Sequence, residues 1–368
     1  MIDKFVPVEE PLRQLPQSDF SYLTSLAQNL REYYEDGTIR ERVLDLKLPL
    51  EAINALTEQQ LDCFMRDMGF VTSAYWHTPA RPATNIIIRN LAVPYHYAAL
   101  KRGMRPILSY LHYSTINCER INLNQPMALD NFRLIRGFVF PYDEDWFIGI
   151  HRVIEQEENL FFMNNAIDAI HINDDQCVQC NLEKHADTTR QMHQVLCRMP
   201  EKCNPDIYFQ KVRKPIMYFD SPVYEGVPEP DSRPRFMRGE TGAQSMGVPA
   251  RVAFLGVEHK QNGLTDHLTE MRQYMPPQYL AVLENLERSA SVRNFVLDKK
   301  DTYPNLKAAY NQAIEELYRF RLKHLEYAKL YVFDKYQAYG QPGGRGTGGT
   351  MLEWLQQLCD ETASHIIK

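Results

Sequence analysis

The sequence predicts an all-α protein, with a small, mainly helical N-terminal domain at residues 1–139 and a large helical domain at residues 140–368. Three observations support this prediction. The stretch Asn305–Tyr339 contains no Gly or Pro, and its apolar residues recur at steps of three and four, as on one face of a helix. A second long helical pattern begins at Tyr142. With 368 residues, 44% of them hydrophobic, the chain can also bury a sizeable core.

The N-terminal domain is predicted to be an arm followed by helices. Residues 1–19 are rich in Pro and acidic residues, which indicates an arm rather than a regular element. Helical apolar spacing occurs in three stretches, namely Phe20–Tyr34, Leu56–Val71 and Leu91–Leu111. The last is expected to form two pieces broken at Pro106. Thr78–Asn85 is predicted to be a loop, and Thr115–Gly137 has an irregular pattern.

The large domain is predicted to contain further long helices. Tyr142–Ile170 begins with acidic residues, which suit a helix N-terminus, and is expected to continue as one helix. Asn181–Arg198 and Met351–Ile367 predict two more. Neither glycine-bearing stretch, Arg238–Gly247 or Gly343–Thr350, has the pattern of a phosphate loop. The second is suited either to a flexible linker or to a lid over a site.

Composition narrows the function classes. The formal net charge of -6 and the lack of a basic run argue against nucleic acid as a partner. No apolar stretch is long enough to span a bilayer and the N-terminus does not resemble a signal peptide, so a cytoplasmic protein is expected. Seven cysteines favour free thiols. Cys177 and Cys180 form a CxxC motif, but a second closely spaced pair is lacking, so zinc is the minor alternative.

His324 is the first candidate site residue. It falls in the middle of the apolar stripe of Asn305–Tyr339, so its side chain is expected to face the interior. Such a histidine is commonly a hydrogen-bonded core residue. Arg321, however, lies three positions earlier on nearly the same face, and a buried guanidinium requires an anion. A haem would satisfy both residues, with the iron bound to the imidazole and a propionate to the arginine.

Two further pairs have a spacing of four residues. Phe147 and His151 project from one face of their helix, as do Phe209 and Arg213, with Tyr208 beside them. The first pair is typical of a core aromatic with a polar neighbour. The second is suited either to an aromatic ligand with a carboxylate or to a stacked surface arginine. The residues alone leave both interpretations open.

A series of motifs from about Phe236 to the C-terminus resembles the indoleamine 2,3-dioxygenases, within the larger group that includes the tryptophan 2,3-dioxygenases. The motifs are, in order, RGETGAQS, FLGV, MRQYMPP, SVRNFVL, RLKH and GTGGT. A thinner resemblance extends back to about Pro106. It implies an all-α enzyme that binds haem b and uses O2 to open the pyrrole ring of an indole, converting tryptophan to N-formylkynurenine.

The resemblance also implies roles for individual residues. His324 matches the proximal haem ligand and Arg321 the arginine that binds a propionate. Phe209 and Arg213 match the residues that hold the substrate ring and carboxylate, and together with His151 they are the expected catalytic residues. The other expected site residues are pocket aromatics, loop threonines and a glycine beside the cofactor: Tyr110, Phe147, Tyr208, Thr347, Thr350 and Gly348.

Several positions depart from the family pattern. His151 stands where animal indoleamine dioxygenases usually have serine, and it resembles the distal histidine of the tryptophan dioxygenases. An imidazole there would bond the indole nitrogen or the bound oxygen, and is expected to titrate between about pH 5.5 and 7.5. Tyr208 replaces a phenylalanine and Val252 an aspartate that supports the proximal side. Residues 112–114 are larger or more polar than usual beside Tyr110, which predicts a narrower or more polar pocket.

Two alternatives remain open at this stage. One is a related haem oxygenase that acts on a different indole or a secondary-metabolite intermediate, with insertion of one oxygen atom rather than two. The other is a haem or gas sensor without catalysis. Arg213 and the GTGGT loop favour an enzyme, because a sensor has no use for a carboxylate clamp. The sequence leaves the oligomeric state open.

Overall fold

The computed structural model of the chain describes residues 5–6, 9–79, 81–157, 160–341 and 344–368. These residues form α-helices joined by loops, and their β-strands are short two-residue pairs. Ile86–Ile87 pairs in parallel with Val223–Tyr224, and Cys118–Glu119 pairs antiparallel with Arg133–Leu134. The prediction of an all-α fold is therefore confirmed.

The α-helices have the following bounds in chain order: Ser21–Gln28, Leu30–Glu35, Ile39–Arg42, Leu50–Asn54, Glu58–Trp76, Arg89–Arg102, Tyr142–Gln156, Leu160–His171, Asp175–Cys197, Pro205–Ile207, Gly247–Leu255, Gly263–Met271, Pro277–Arg288, Val292–Lys299, Pro304–Ala328, Asp334–Ala338 and Leu352–Ser364. Three π turns interrupt or extend them, at Leu111–Thr115, Tyr208–Val212 and Lys329–Phe333.

The helix Pro304–Ala328, called the His324 helix below, organises the large helical region. It packs along Asp175–Cys197 and also against Leu352–Ser364. Its packing face includes the fully buried residues Ala313, Ile314 and Leu317. Burying one large apolar side chain of this kind contributes about 1.5–3 kcal/mol. The helix that carries the candidate ligand is therefore held firmly on two sides.

Several predicted helix boundaries were wrong. Tyr142–Ile170 is not one helix, because the chain forms separate helices at Tyr142–Gln156 and Leu160–His171. The helix expected to break at Pro106 ends earlier, at Gly103, where a left-handed φ of 71° terminates it. Asn181–Arg198 belongs to a helix that starts at Asp175, where the Asp174 side chain accepts a hydrogen bond from the Cys177 N–H. Phe20–Tyr34 is split at Asn29.

The predicted long helix Asn305–Tyr339 is continuous but not regular. It stays α-helical as far as Ala328, passes through the π turn Lys329–Phe333 and ends in Asp334–Ala338. A π turn places one extra residue in the helical turn, and such turns are frequent at functional sites. Periodicity read from the sequence does not reveal this insertion.

The N-terminal arm packs onto the rest of the chain. The Phe5 ring lies 5.5 Å from the Tyr279 ring in an edge-to-face contact. Buried apolar side chains from the N-terminal helices and from the C-terminal helices belong to one contiguous core. The division into domains near residue 139 stays a prediction. In the described part of the chain, no helix combines the length and apolar character needed to cross a membrane.

Candidate active site

A cavity of about 620 Å³ lies among the C-terminal helices. Its walls are formed by the His324 helix, by Tyr142–Gln156, called the distal helix below, and by Gly247–Leu255 and Gly263–Met271. Residues 346–350, called the glycine loop below, complete one wall with Gly346, Thr347 and Thr350. Each of the three π turns lies at this cavity or directly beside one of its lining residues, as shown by Tyr110, Tyr208 and Tyr331.

His324 lies on one wall of the cavity. Its side chain is accessible because it faces the cavity. Phe320, Tyr327 and Ala328 line the same wall. Burial of the site, and after it the positive charge of Arg321, lowers the pKa of His324. A neutral imidazole with a free ring nitrogen is the form that binds a metal. The sequence placed His324 on the interior face of its helix. In the structure, the ring on that face borders the cavity instead of being packed in the core.

Arg321 also lines the cavity and is 8% exposed. Its guanidinium donates to the Leu358 carbonyl and to the Thr362 hydroxyl, both neutral acceptors. Within the described residues its Nε has no hydrogen-bond partner and no carboxylate forms an ion pair with it. Burial lowers the pKa of Arg321 to about 10. Because a buried guanidinium is costly without an anion, this wall is suited to an anionic ligand group.

His151 on the distal helix also lines the cavity. Its Nδ1 lies 2.8 Å from the Phe147 carbonyl oxygen and donates to it, which leaves Nε2 as an acceptor for a ligand. Burial lowers the pKa of His151 to about 4, the hydrogen bond to Phe147 opposes this shift, and His324 adds to it. The expected titration between about pH 5.5 and 7.5 is therefore wrong, because desolvation keeps the ring neutral there.

Tyr110 and Phe147 lie in the cavity wall. The Tyr110 hydroxyl donates to Glu155 over 2.9 Å, and the Ser245 hydroxyl donates to the same carboxylate oxygen over 2.6 Å. Phe147 contacts the His151 ring at a centroid distance of 4.3 Å and the Tyr208 ring at 4.8 Å. The distal wall is therefore an aromatic surface with one imidazole nitrogen and one buried carboxylate.

Phe209 and Arg213 lie behind the cavity wall rather than in it. The Phe209 ring stacks on Tyr339 at 5.7 Å. Arg213 is 3% exposed, lies 5.1 Å from the Tyr336 ring centroid and donates from Nη2 to the Arg345 carbonyl. No carboxylate of the described residues forms an ion pair with Arg213, and its Nε has no partner there. A buried guanidinium without an anion thus lies directly behind the glycine loop.

The loop and the substituted positions are distributed as follows. Thr347 and Thr350 line the cavity, and Thr350 contacts His267 at 3.3 Å. Gly348 lies one layer back, where its carbonyl accepts from Arg238 and where an added Cβ would lie 2.6 Å from the Thr241 side chain. Val252 lines the cavity. Residues 112–114 are buried beneath the wall and do not line it.

Sequence reasoning missed many polar residues of the cavity, among them Glu240, Thr241, His259 and His267. Two of them, Glu240 and Thr241, lie in the RGETGAQS motif. His259 lies 2.6 Å from the Glu361 carboxylate, and burial lowers the pKa of His267 to about 4. The zinc alternative at Cys177 and Cys180 gains no support, since no three potential ligands cluster in the described residues.

Comparisons with known proteins agree with this geometry. The family model for indoleamine 2,3-dioxygenase matches residues 2–365. Indoleamine 2,3-dioxygenase 1 of Rattus norvegicus is 27% identical over 383 residues, covering 97% of this chain and 92% of the relative. Indoleamine 2,3-dioxygenase nanC of Aspergillus nanangensis is 25% identical over 394 residues, covering 99% and 95%. A myoglobin of Haliotis madaka is 24% identical over 370 residues, covering 96% and 94%.

Fold and family match together define a haem-dependent oxidoreductase of the helical class. The chain belongs to the indoleamine 2,3-dioxygenase family, as the motifs from Phe236 onwards predicted.

Proposed function

We propose that the cavity binds haem b and that the protein opens the pyrrole ring of tryptophan or a related indole with O2. The observation that carries the proposal is the pairing of His324 with Arg321 on one wall. His324 offers a neutral imidazole to the cavity, and Arg321 offers a buried guanidinium that lacks an anion in the described structure. These two groups fit the iron and one propionate of a haem, and the apolar lining of Phe320, Val332 and Leu358 suits a porphyrin.

In this proposal haem supplies the redox chemistry by which both atoms of O2 are added across the C2–C3 bond of the indole. The protein positions the substrate and controls the polarity around it. His324 would hold the iron, and Arg321 and the backbone near Gly348 would hold the haem edge. Because Val252 stands where relatives have an aspartate, the His324 imidazole would have no carboxylate partner from that position.

The substrate side is proposed to work through the distal helix and the two turns that face it. His151 Nε2 accepts a hydrogen bond from the indole N–H, because Nδ1 is already committed to Phe147. Phe147, Tyr110 and Tyr208 enclose the ring. Thr347 and Thr350 exclude water from above it. A neutral His151 positions the ring without removing a proton, since attack on the electron-rich C2–C3 bond needs none.

Arg213 and Phe209 are proposed to serve the substrate carboxylate and ring from behind the glycine loop. Arg213 donates to the Arg345 carbonyl, and a carboxylate is a stronger acceptor than a carbonyl. Exchange of this carbonyl for a carboxylate would remove the cost of the unpaired guanidinium. The step requires the glycine loop to shift, which its glycines permit.

The decisive experiment uses the haem-loaded protein, reduced without oxygen and then mixed with tryptophan and ¹⁸O-labelled O2. We expect N-formylkynurenine that has gained both labelled atoms. A product with a single labelled atom would favour the related oxygenase, and a different indole as the better substrate would move the proposal to that compound. The free thiols and the lack of a membrane-crossing helix in the described residues are in keeping with a cytoplasmic location, which we also propose.

A second candidate function is reversible oxygen binding without turnover. The similarity to a myoglobin of Haliotis madaka favours it, because that relative covers nearly the whole chain. Stable oxygen binding in the presence of excess tryptophan, with no product formed, would support this candidate. The unpaired Arg213 guanidinium favours the enzyme, since oxygen storage needs no site for a carboxylate.

A further inference from the structure

Glu240 is a buried acidic residue with no role in the assignments above. Its side chain is 3% exposed and lines the cavity. Among the described residues, no cation forms an ion pair with its carboxyl group and no donor bonds to it. Burial alone raises the pKa of Glu240 to about 8. Burying a carboxyl group without a partner costs desolvation free energy in the folded protein. A ligand that pairs with Glu240 would offset this cost, which favours binding.

The backbone fixes the position of Glu240. Its N–H donates to the Ile216 carbonyl over 3.1 Å. The preceding Gly239 lies so close to the same strand of chain that an added Cβ would be 2.4 Å from the Ile216 carbonyl oxygen. Gln244 Nε2 donates to the Gly239 carbonyl over 3.0 Å. The carboxyl group is therefore presented to the cavity by a rigid segment and does not belong to a mobile surface loop.

Two charges of opposite sign act on the Tyr208 hydroxyl at this end of the cavity. Burial is the main cause of the raised pKa of Tyr208; Arg213 opposes the shift and Glu240 adds to it. Glu240 also contributes, after burial and Glu144, to the raised pKa of Tyr113. Tyr208 is thus close enough to both a guanidinium and a carboxyl group to be influenced by their charges. A substrate whose side chain carries an ammonium and a carboxylate has matching groups for both.

We propose that Glu240 binds the aliphatic ammonium group of the substrate and thereby determines how strongly this chain discriminates against indoles that lack the amine. The inference rests on the proposed function. An ammonium compensates a desolvated carboxylate better than a neutral hydroxyl does, because the bond is charge-assisted. Glu240 lines the cavity directly whereas Arg213 lies behind the wall, so the amine determines specificity more strongly than the substrate carboxylate.

The test compares three ligands in the haem-loaded protein: tryptophan, tryptamine, which lacks the carboxylate, and indole-3-propionate, which lacks the amine. Binding is measured by calorimetry, and KM and kcat are measured for any ligand that turns over. Glu240→Gln should weaken tryptophan and tryptamine by about ten- to a hundredfold, the range for a charge-assisted hydrogen bond. Indole-3-propionate should bind as well as before or better.

Glu287→Gln is the matched control. Glu287 lines the same cavity but already pairs with Arg272 at 3.2 Å, so its replacement should leave all three affinities unchanged. Glu240→Asp keeps the charge on a shorter side chain and should restore part of the amine selectivity. Thermal unfolding of each variant identifies a loss that is caused by misfolding.

Equal loss for all three ligands in a folded Glu240→Gln protein would overturn the inference and leave Glu240 a structural role. If the wild-type protein turned over no indole but still bound tryptamine through Glu240, the proposed function would fail and the amine site would stand.

Discussion

The two walls of the cavity are built in different ways. The His324 wall is one regular α-helix, on which Arg321 and His324 lie one turn apart. The substrate wall is assembled from the distal helix, the π turn Tyr208–Val212, the RGETGAQS segment and the glycine loop. The His324 wall presents the Arg321 guanidinium and a neutral His324 nitrogen side by side, where a single haem could meet both. The polar groups of the substrate wall lie on separate segments of the chain. A substitution in one segment can therefore change the polarity of this wall without altering the others.

The largest effect is expected when the candidate haem ligand on the His324 wall is removed. His324→Ala should abolish tight haem binding or leave a site that added imidazole restores, because the other cavity histidines lie on different elements. The measurement is the haem absorption spectrum with and without imidazole. His171→Ala, at an exposed histidine of another helix, is the control and should leave the spectrum unchanged. An unaltered histidine-ligated spectrum in His324→Ala would show that the assignment is wrong.

The next largest effect is expected at Arg213, which lies behind the substrate wall. Arg213→Ala should cost about 2–4 kcal/mol of substrate binding or transition-state stabilisation for tryptophan, the range for losing a buried charged contact. Indole, which has no carboxylate, should be affected far less. The ratio of kcat/KM values for the two compounds is the measurement. Equal losses would mean that Arg213 only supports the glycine loop through the Arg345 carbonyl and that the carboxylate binds elsewhere.

A smaller effect is expected at His151. His151→Ser should keep measurable activity with a loss of about ten- to a hundredfold, equivalent to one hydrogen bond of about 1.4–2.8 kcal/mol. Since burial lowers the pKa of His151 to about 4, its Nε2 lone pair is present above that pH and is lost as pH falls through it. Titration of His151 should therefore cause no change in the wild-type rate between about pH 5.5 and 7.5. Complete inactivity of a haem-loaded variant would indicate essential acid–base catalysis.

The smallest effect concerns the glycine loop. Gly349 has a φ of 89°, which an L-residue adopts at a cost of about 1 kcal/mol. Gly349→Ala should lower the free energy of unfolding by at least that amount, because an added Cβ would also lie 2.6 Å from Arg238 Nη1, and should change substrate affinity little. Gly346→Ala is the control, because its φ is not in the left-handed region and an added Cβ would lie 3.4 Å from the Thr350 side chain. Denaturant unfolding measures both. A large loss of affinity in Gly349→Ala would show that the loop conformation itself determines binding.

The contrast between the walls also explains what sequence could predict. Arg321 and His324 follow from a regular period, and so do the fold class and the face that packs on Asp175–Cys197. The placement of Phe209 and Arg213 behind the cavity wall could not be predicted, because a π turn at Tyr208–Val212 changes which residues share a face. Glu240 was missed because no periodic pattern surrounds it. The neutral state of His151 depends on desolvation, which only the folded cavity supplies.

The three π turns have a consequence for how this chain tolerates insertions and deletions. In each of them the helix carries one residue more than an α-helical turn needs, as shown by the bond from the Arg213 N–H to the Tyr208 carbonyl at 2.8 Å. Removing one residue from Lys329–Phe333 would convert the π turn into a regular α-helical turn and leave the later side chains near their present faces, because the turn already absorbs the extra residue. A single-residue deletion should therefore be tolerated better here than in a regular α-helical stretch, where it would rotate every later side chain by about 100°.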